Sequence, residues 1–267
     1  MTSADTKTAG SAGVPADLWG ARARDWADVQ EGQSLPLFEA VLARCEALAG
    51  KRVLDIGCGS GLFARLARER GAIVSGLDAA PALVAIARER VSRTEFLVGE
   101  IEELPYEDAS FDVVTGFNAF QYAANPANAL REAGRVAAPG ARLFIATWGA
   151  EQDCEAAAYL RALERHIPPP PLGAPGPFAL SLPGALERLA LVAGLTPGER
   201  IDVECTWRYP DLDTALRGLL SSGPAIRAIR HSAEEPVRRA VAEAIAPFRT
   251  AHGAYEIENT FRCLTAR

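Results

Sequence analysis

The chain has 267 residues, of which 49% are hydrophobic and 23% charged, values that are ordinary for a folded globular protein and unlike those of a disordered chain. Its 34 acidic residues outnumber its 28 lysines and arginines, so the formal net charge is −6, and the arginines are interleaved with glutamates. Because proteins that bind nucleic acid through its phosphates concentrate positive charge on one face, this excess of acidic residues argues against a nucleic-acid partner.

The cysteines give no support for a zinc site or a redox dithiol, because the five are far apart and form no CxxC pair. Unpaired thiols are typical of a reducing cytosol. No apolar run approaches the roughly 20 residues that span a membrane, and residues 1–15 lack the basic start and apolar centre of a signal peptide. We therefore expect a cytoplasmic protein with no metal and no membrane partner, in which residues 1–15 form a disordered tail.

From Lys51 to Trp148, short β-rich runs alternate with helical runs, the pattern of a parallel sheet with helices on both sides. Helices are predicted after the first and second strands, where apolar residues recur at helical spacing, and after Pro126, where the helix stops at Pro139-Gly140. Strands are predicted at residues 52–56, 72–78, 95–98, 111–117 and 142–147.

A proline-rich run from Ile167 to Pro183 predicts an extended connection and a natural boundary. Beyond it, the apolar spacing predicts a helix at 184–193 and two amphipathic helices near 214–220 and 236–248. A strand is predicted at 201–208, and a final strand lies within residues 254–266.

The most informative stretch is VLDIGCGSG, in which the strand at 52–56 runs into Gly57, Gly59 and Gly61 and then a helix. Glycines let the backbone turn tightly and approach a ligand closely, and ligands of open α/β sheets sit at the carboxyl ends of the strands. Asp55 places a carboxylate near this turn, and Asp78 ends the next strand, where a carboxylate can bind ribose hydroxyls. Together these features indicate an adenosine-containing cofactor.

The glycine spacing separates two kinds of cofactor. A nicotinamide or flavin fingerprint is GxGxxG/A and binds a pyrophosphate at the helix N-terminus, whereas the sixth position here is Leu62. The pattern GxGxG lacks the third glycine that permits close helix packing under a diphosphate. It favours a phosphate-free cofactor with an amino-acid tail.

A resemblance to a known family is carried by four runs in order, LDIGCGSG, GLDAA, GEIEELPYEDASFDVV and RVAAPGARLFIATWG. Between Trp19 and Trp148 the chain resembles the class I S-adenosylmethionine-dependent methyltransferases. It is most similar to their bacterial small-molecule branch, which includes ubiquinone- and menaquinone-type C-methyltransferases. The resemblance continues more loosely to the C-terminus. It implies methyl transfer from S-adenosyl-L-methionine to a small-molecule acceptor by in-line displacement.

The resemblance also implies a fold, namely a Rossmann-like α/β fold with a seven-stranded, mostly parallel sheet flanked by helices and a small helical cap. The last strand is expected to be antiparallel. Residues 16–267 then form one methyltransferase domain, with a cofactor-binding core at 45–150. Residues 151–250 include the cap and the acceptor region.

For the methionine part of the cofactor, the resemblance implies that Gly57, Gly59 and Gly61 wrap this moiety and that Asp55 lies near its ammonium group. It also implies that Phe117 offers its backbone carbonyl to the same ammonium group.

For the adenosine part, the resemblance implies that Asp78 binds the ribose hydroxyls and that Ala79 lies beside the adenine. Glu100 and Ile101 match an acidic-plus-apolar pair that contacts adenine, although the family often has Asp at the first of these positions. Trp19 and Trp26 match an aromatic N-terminal helix that closes over the cofactor.

Six residues, five of them aromatic, are predicted to line the acceptor site: Trp19, Phe120, Gln121, Tyr122, Trp148 and Phe178. Tyr122 is also the candidate catalytic group. Core packing alone is the alternative for Trp19 and Trp26, and attachment of the cap to the sheet is the alternative for Trp148 and Phe178. The three histidines lie at helix ends or turns, so no base is assigned to them.

Two rival functions stay open at this point, an NAD(P)-dependent oxidoreductase and a protein that keeps the cofactor pocket without transferring methyl groups. The latter class includes cyclisation catalysts and regulatory proteins. The sequence specifies neither the acceptor, nor the atom that is methylated, nor the oligomeric state.

Overall fold

The computed structural model of the chain describes residues 13–45, 47–168 and 176–267. The strands within these residues are β1 (Arg52–Ile56), β2 (Ile73–Asp78), β3 (Glu95–Val98), β4 (Phe111–Phe117), β5 (Ala137–Trp148), β6 (Pro197–Glu204), β7 (Trp207–Tyr209), β8 (Tyr255–Ile257) and β9 (Thr260–Ala266). Seven of them form one sheet in the order β3-β2-β1-β4-β5-β9-β6. Strands β1 to β5 are parallel, and β9 is antiparallel to both β5 and β6, so the predicted sheet is confirmed.

Helices cover both faces of the sheet because successive side chains of a strand point to opposite sides. In β1, Val53 joins one core cluster, and Leu54 and Ile56 join the other. The described helices are α1 (Gly13–Gly20), α2 (Ala23–Asp25), α3 (Leu35–Leu42), α4 (Leu62–Glu69), α5 (Pro81–Arg90), α6 (Pro126–Val136), α7 (Ala156–Glu164), α8 (Ala185–Val192), α9 (Leu212–Leu219), α10 (Gly223–Ser232) and α11 (Glu234–Ile245). Helices α3 and α4 pack on the face of Val53, and α6 and α8 pack on the opposite face.

Two predicted strands are each broken in the structure, and Asn259 lies where they break. The predicted strand 201–208 divides into β6 and β7, and the final strand divides into β8 and β9. The buried Asn259 accepts a hydrogen bond on its backbone oxygen from the amide of Cys205 (2.7 Å) and one on Oδ1 from the amide of Ala156 (3.0 Å). At these contacts both strand segments leave the main sheet, and β7 and β8 pair as a separate antiparallel ribbon.

A helical layer lies beyond the carboxyl ends of the strands. Helix α11 packs on α7 and α9, and α10 packs on α7 and α11. Helix α10 was not predicted, although it has a sequence signal: Ser222 caps its N-terminus by accepting a hydrogen bond from the amide of Ala225 (3.3 Å). This layer is the cap, formed by α7, α9, α10 and α11.

The N-terminal segment, residues 13–34, is not the single aromatic helix that was expected. After α1 and α2 it continues as a π-helical turn at Trp26–Gln30 and a 3-10 turn at Glu31–Ser34. Helix α1 contacts both α5 and α10, and the π-helical turn contacts α9, so the segment joins the core to the cap. Wide turns of this kind occur frequently at functional sites.

Parts of two predicted segments lie outside the described residues. Of the predicted tail at 1–15, only residues 13–15 are described, and their backbone begins α1. Of the proline-rich connection, residues 169–175 lie outside the described part. Among the described helices, none is long and apolar enough to cross a membrane. Within the same residues, the five cysteines are free and no cluster of three or more metal-ligating side chains occurs.

Candidate functional site

The glycine loop connects β1 to α4 at the carboxyl end of the sheet. Gly57, Gly59 and Gly61 have φ angles of +71°, +54° and +81°, a region that L side chains rarely adopt. The amides of Gly57 and Cys58 both donate to the carbonyl of Leu77, at 2.8 and 3.0 Å, which ties the loop to the end of β2.

A first cavity opens beside this loop and contains most of the predicted cofactor residues. Eight of the ten residues predicted to bind the cofactor line it, namely Trp26, Gly57, Gly59, Asp78, Ala79, Glu100, Ile101 and Phe117. Trp19, Asn118 and Tyr122 also line it. The strand ends and the N-terminal segment therefore bring together residues that are as much as 91 positions apart in the chain, from Trp26 to Phe117.

Gly61 is not among the residues that line the first cavity, so its position beside the methionine moiety stays a prediction, and a steric reason for a glycine here lies elsewhere. A Cβ at Gly61 would lie 2.9 Å from the Cβ and 3.2 Å from the Cα of Ala87 on α5. Gly61 therefore permits close packing of the start of α4 on α5.

Asp55 is also set back from the first cavity, because its side chain is buried in the sheet and only 2% exposed. Its Oδ1 accepts a hydrogen bond from the hydroxyl of Thr115 (2.9 Å). Burial raises the pKa of Asp55 to about 8, against the hydrogen bond from Thr115. Its carboxyl is thus a neutral group beneath the loop near neutral pH, and its side chain does not face the cavity.

Asp78 has two contacts in the structure and still lines the first cavity. Its Oδ2 accepts from the amide of Gly59 (3.0 Å), and its Oδ1 accepts from the amide of Ala80 (2.8 Å). Burial raises the pKa of Asp78, and these two hydrogen bonds oppose that rise. Asp78 therefore fixes the glycine loop and presents a carboxylate to the cavity at the same time.

Glu31, which the sequence analysis missed, fastens the N-terminal segment to the glycine loop. Its Oε1 accepts from the amide of Ser60 (2.9 Å), its Oε2 accepts from the Ser60 hydroxyl (2.5 Å), and Arg90 forms an ion pair with Oε2. Arg90 also donates to the carbonyl of Ala27 (3.0 Å). Burial raises the pKa of Glu31, and the attraction of Arg90 opposes that rise. No local motif signals this contact, because Ser60 and Arg90 are 29 and 59 residues away.

The charge and the aromatic character of the first cavity distinguish between the candidate cofactors. Its charged lining residues are Asp78 and Glu100, and no lysine, arginine or histidine is among the described residues that line it. The amide of Gly59 is already bonded to Asp78, so it is not available to a pyrophosphate. Carboxylates and the aromatic side chains of Trp19 and Trp26 suit a cation such as a sulfonium. The lining therefore fits S-adenosylmethionine and does not fit a nicotinamide dinucleotide.

A second cavity of about 270 Å³ lies next to the first, between the sheet and the cap. Trp19, Trp26, Asn118 and Tyr122 line both cavities and therefore form a shared wall. The rings of Trp19 and Trp26 meet edge to face at 4.9 Å, and those of Trp19 and Tyr122 at 5.5 Å. The other aromatic residues that line the second cavity are Trp148, Tyr159, Trp207 and Phe261.

Four of the six predicted acceptor residues line the second cavity: Trp19, Gln121, Tyr122 and Trp148. Phe178 is not among its lining residues and packs on Trp148, with ring centroids 5.6 Å apart. The prediction for Phe120 is wrong, because this side chain is 2% exposed and lies in the core against Gly116. A Cβ at Gly116 would come within 2.4 Å of the Phe120 ring.

The second cavity offers polar groups but few ionisable ones. Glu164, exposed at the end of α7, is the one formally charged residue among the described residues that line it. Burial raises the pKa of Tyr122 to about 12, so its hydroxyl stays protonated at neutral pH. The three histidines do not line either cavity. Gln121 Oε1 and Trp207 Nε1 are buried without a hydrogen-bond partner among the described residues.

Comparison with known proteins gives matches to methyltransferases. Residues 54–145 match the family described as a methyltransferase domain, Methyltransf_11. The chain is 31% identical over 187 residues to a malonyl-[acyl-carrier protein] O-methyltransferase of Serratia marcescens, covering 69% of this chain and 68% of that protein. It is 36% identical over 143 residues to a ubiquinone biosynthesis O-methyltransferase of Xanthomonas oryzae, covering 49% of this chain and 59% of that protein. The match thus spans less than two thirds of the ubiquinone enzyme.

Solved structures share the fold. The [4+2]-cyclase SpnF is 25% identical with a TM-score of 0.57, covering 86% of this chain and 80% of that chain. A SAM-dependent methyltransferase from Aquifex aeolicus is 22% identical with a TM-score of 0.53, covering 69% of this chain and 92% of that chain. Together with the Serratia relative and the family match, the resemblance found in the sequence is confirmed. The chain belongs to the S-adenosylmethionine-dependent methyltransferase family and is an enzyme of that class.

Proposed function

We propose that this enzyme methylates an oxygen atom of a small, largely apolar acceptor in the second cavity, with S-adenosylmethionine bound in the first. The observation that carries the proposal is the wall of Trp19, Trp26, Asn118 and Tyr122 that the two cavities share. Because these four residues line both cavities, the cavities are adjacent, and a methyl group in the first can reach an acceptor in the second. Oxygen is the favoured atom because both relatives described above are O-methyltransferases.

The residues that would hold the cofactor are those that line the first cavity. When bound, S-adenosylmethionine supplies a methyl carbon on a sulfonium, and the electron pair of the broken bond stays with sulfur as the acceptor oxygen bonds to carbon. Asp78 has remaining lone pairs with which to accept hydrogen bonds from ribose hydroxyls. Glu100 and Ile101 would contact the adenine, and Trp26 would exclude water. These side chains contribute binding and orientation, which is the main demand of this reaction.

The second cavity suits a flat or apolar acceptor, since aromatic and aliphatic side chains form most of its lining and only one lining residue is formally charged. Tyr159 is held on the cap side, where its hydroxyl donates to the carbonyl of Leu219 (2.9 Å). We infer that residues 151–250 supply the cap side of this cavity and that residues 45–150 supply the cofactor side, within one domain spanning 16–267. Phe178 would then support Trp148 from behind.

The test is an untargeted labelling experiment. The purified protein is incubated with cell extract and S-adenosylmethionine that carries a deuterated methyl group, and products are identified by mass spectrometry. We expect a small apolar metabolite that gains the label on oxygen, with an equal amount of S-adenosylhomocysteine. Asp78→Ala serves as the control with a damaged cofactor site. Label on nitrogen or carbon, or cofactor binding in calorimetry without any turnover, would contradict the proposal, and the second result would indicate non-methyl chemistry.

A further inference from the structure

Asn118 occupies the one polar position on the shared wall that combines an unusual backbone conformation with an oriented side-chain amide. It directly follows β4, and its φ of +51° lies in the left-handed region, which non-glycine residues adopt rarely and asparagine most readily. Its backbone amide donates to the carbonyl of Ala146 (2.9 Å), which holds this conformation at the end of the sheet. Left-handed residues held in this way cluster at ligand sites.

The side chain of Asn118 is oriented by its neighbour. Its Oδ1 accepts a hydrogen bond from Nε2 of Gln121 (3.0 Å), and this leaves Nδ2 as the free end of the amide. Within the described part of the chain Nδ2 has no hydrogen-bond partner, while the residue lines both cavities. An N–H donor is therefore available where the methyl group and the acceptor oxygen would meet.

The rest of the shared wall offers no group that could take a proton from the acceptor. The indoles of Trp19 and Trp26 are not bases, and the Tyr122 hydroxyl is protonated because burial raises its pKa to about 12. Glu164 lines only the second cavity, and Asp78 and Glu100 line only the first. The wall thus supplies hydrogen-bond donors and apolar surface where other enzymes place a histidine or carboxylate.

We propose that Asn118 donates a hydrogen bond from Nδ2 to the acceptor oxygen, and that the acceptors are acidic oxygens such as carboxylates, enolates and phenolates. This inference rests on the proposed O-methylation. The oxygen loses its proton to solvent before it attacks, because the shared wall has no base and Glu164, the charged residue of the second cavity, lies exposed at the end of α7 and off that wall. Asn118 stabilises the resulting anion and aims it at the methyl carbon. Alcohols, which hold their proton far more tightly, are excluded as acceptors.

The first test measures binding without turnover. 4-Nitrophenol is titrated into the complex with S-adenosylhomocysteine, because its phenolate absorbs visible light and its phenol does not. We expect the wild-type complex to bind the phenolate preferentially, so that the apparent pKa of bound 4-nitrophenol falls. Asn118→Gly keeps the left-handed backbone and removes the donor, which should weaken phenolate binding by about 10-fold to 100-fold. Asn118→Asp keeps the acceptor of the Gln121 hydrogen bond and repels the anion, so it should favour the neutral phenol.

The second test measures turnover with labelled cofactor and four probes: benzoate, 4-nitrophenol, phenol and benzyl alcohol. We expect methylation of the acidic probes with a rate that follows their ionisation, and none of benzyl alcohol. The proposal is overturned by methylation of benzyl alcohol as fast as 4-nitrophenol, by a wild-type complex that binds no phenolate, or by unchanged phenolate binding in Asn118→Gly. Calorimetry with S-adenosylhomocysteine and a thermal melt show that each variant is folded. Failure of the O-methylation proposal is separate, since it is read from the position of the label in the extract experiment.

Discussion

Disrupting the ion pair of Glu31 with Arg90 tests whether this contact holds the N-terminal segment against the first cavity. Glu31 is 5% exposed and accepts two hydrogen bonds from Ser60 in addition to the ion pair. The perturbation is Glu31→Gln, which keeps the size of the side chain and removes its charge. It leaves the guanidinium of Arg90, whose side chain is 22% exposed, without its carboxylate partner.

The expected cost follows from burial. Removing one partner of a buried ion pair costs about 3–5 kcal/mol, because the remaining charge stays desolvated and unpaired. For a chain of this size a loss of 1 kcal/mol lowers the melting temperature by about 2–4 °C, so we expect a fall of roughly 6–20 °C. The N-terminal segment also forms one side of the first cavity through Trp26, so the affinity for S-adenosylhomocysteine should fall by at least tenfold, an effect of about 1.4 kcal/mol.

The chain offers a matched control on the same two elements. Arg24 and Glu89 also join the N-terminal segment to α5, at 2.9 Å, but their side chains are 61% and 62% exposed. Glu89→Gln should therefore cost less than about 1 kcal/mol and leave cofactor affinity unchanged. The assay is a double-mutant cycle of Glu31→Gln with Arg90→Met, read by thermal unfolding and by calorimetry with S-adenosylhomocysteine. We expect the double variant to be less destabilised than the two single variants added together.

Two results would refute this reasoning. If Glu31→Gln and Glu89→Gln lower the melting temperature equally, the burial of Glu31 does not determine the strength of its contact. If Glu31→Gln melts early but binds S-adenosylhomocysteine normally, the N-terminal segment contributes to stability and not to the cofactor site.

Three further perturbations address the carboxylates and the aromatic wall. Asp78→Ala should weaken S-adenosylhomocysteine binding by at least tenfold, since hydrogen bonds to a charged group contribute about 1.5–3 kcal/mol each, and a change within twofold in calorimetry would contradict the ribose assignment. Burial raises the pKa of Asp55 from 3.8 to about 8, so near neutral pH this carboxyl is protonated in the folded protein and ionised in the unfolded chain. The melting temperature should therefore fall as pH rises from about 4 to about 8. Asp55→Asn, which can still accept the hydrogen bond from Thr115, should flatten that profile. Trp148→Ala should weaken 4-nitrophenol binding and lower the free energy of unfolding by about 3–5 kcal/mol. Phe178→Ala should lower the melting temperature and leave the affinity for S-adenosylhomocysteine intact. Equal 4-nitrophenol binding by both variants would contradict the position given to Trp148.

The elements that sequence analysis located well are those with local signals. The predicted bounds of β1, β3 and β4 agree with the structure to the residue, because each is a short apolar run that ends at turn or polar residues. The glycine loop and Asp78 were found for a related reason, because they lie at or just past the ends of parallel strands, which meet at one edge of the sheet. Trp26, Ala79, Glu100, Ile101 and Phe117 were predicted from the resemblance to the methyltransferases and not from strand position.

The residues that were missed or wrongly assigned depend on contacts that no local pattern contains. Glu31 could not be found because its partners are remote in sequence, whereas Asn118 carried a signal, namely an asparagine directly after a strand. Phe120 and Tyr122 are two positions apart in the 3-10 turn Phe120–Tyr122, and the turn directs one ring into the core and the other to the cavities. Phe120, Gln121 and Tyr122 were predicted as one group because no sequence pattern marks that turn.

The shared wall also shows why polar contacts matter in a site built largely from aromatic rings. Apolar packing favours burial but has no preferred direction, so it does not by itself fix where Trp19 and Trp26 lie relative to the sheet. Direction comes from hydrogen bonds at the edges of the wall: Glu31 holds the glycine loop, and Arg217 of α9 pairs with Asp25 of the N-terminal segment at 2.5 Å. The first of these contacts reaches the core and the second reaches the cap. The same segment is therefore fixed to both sides of the shared wall.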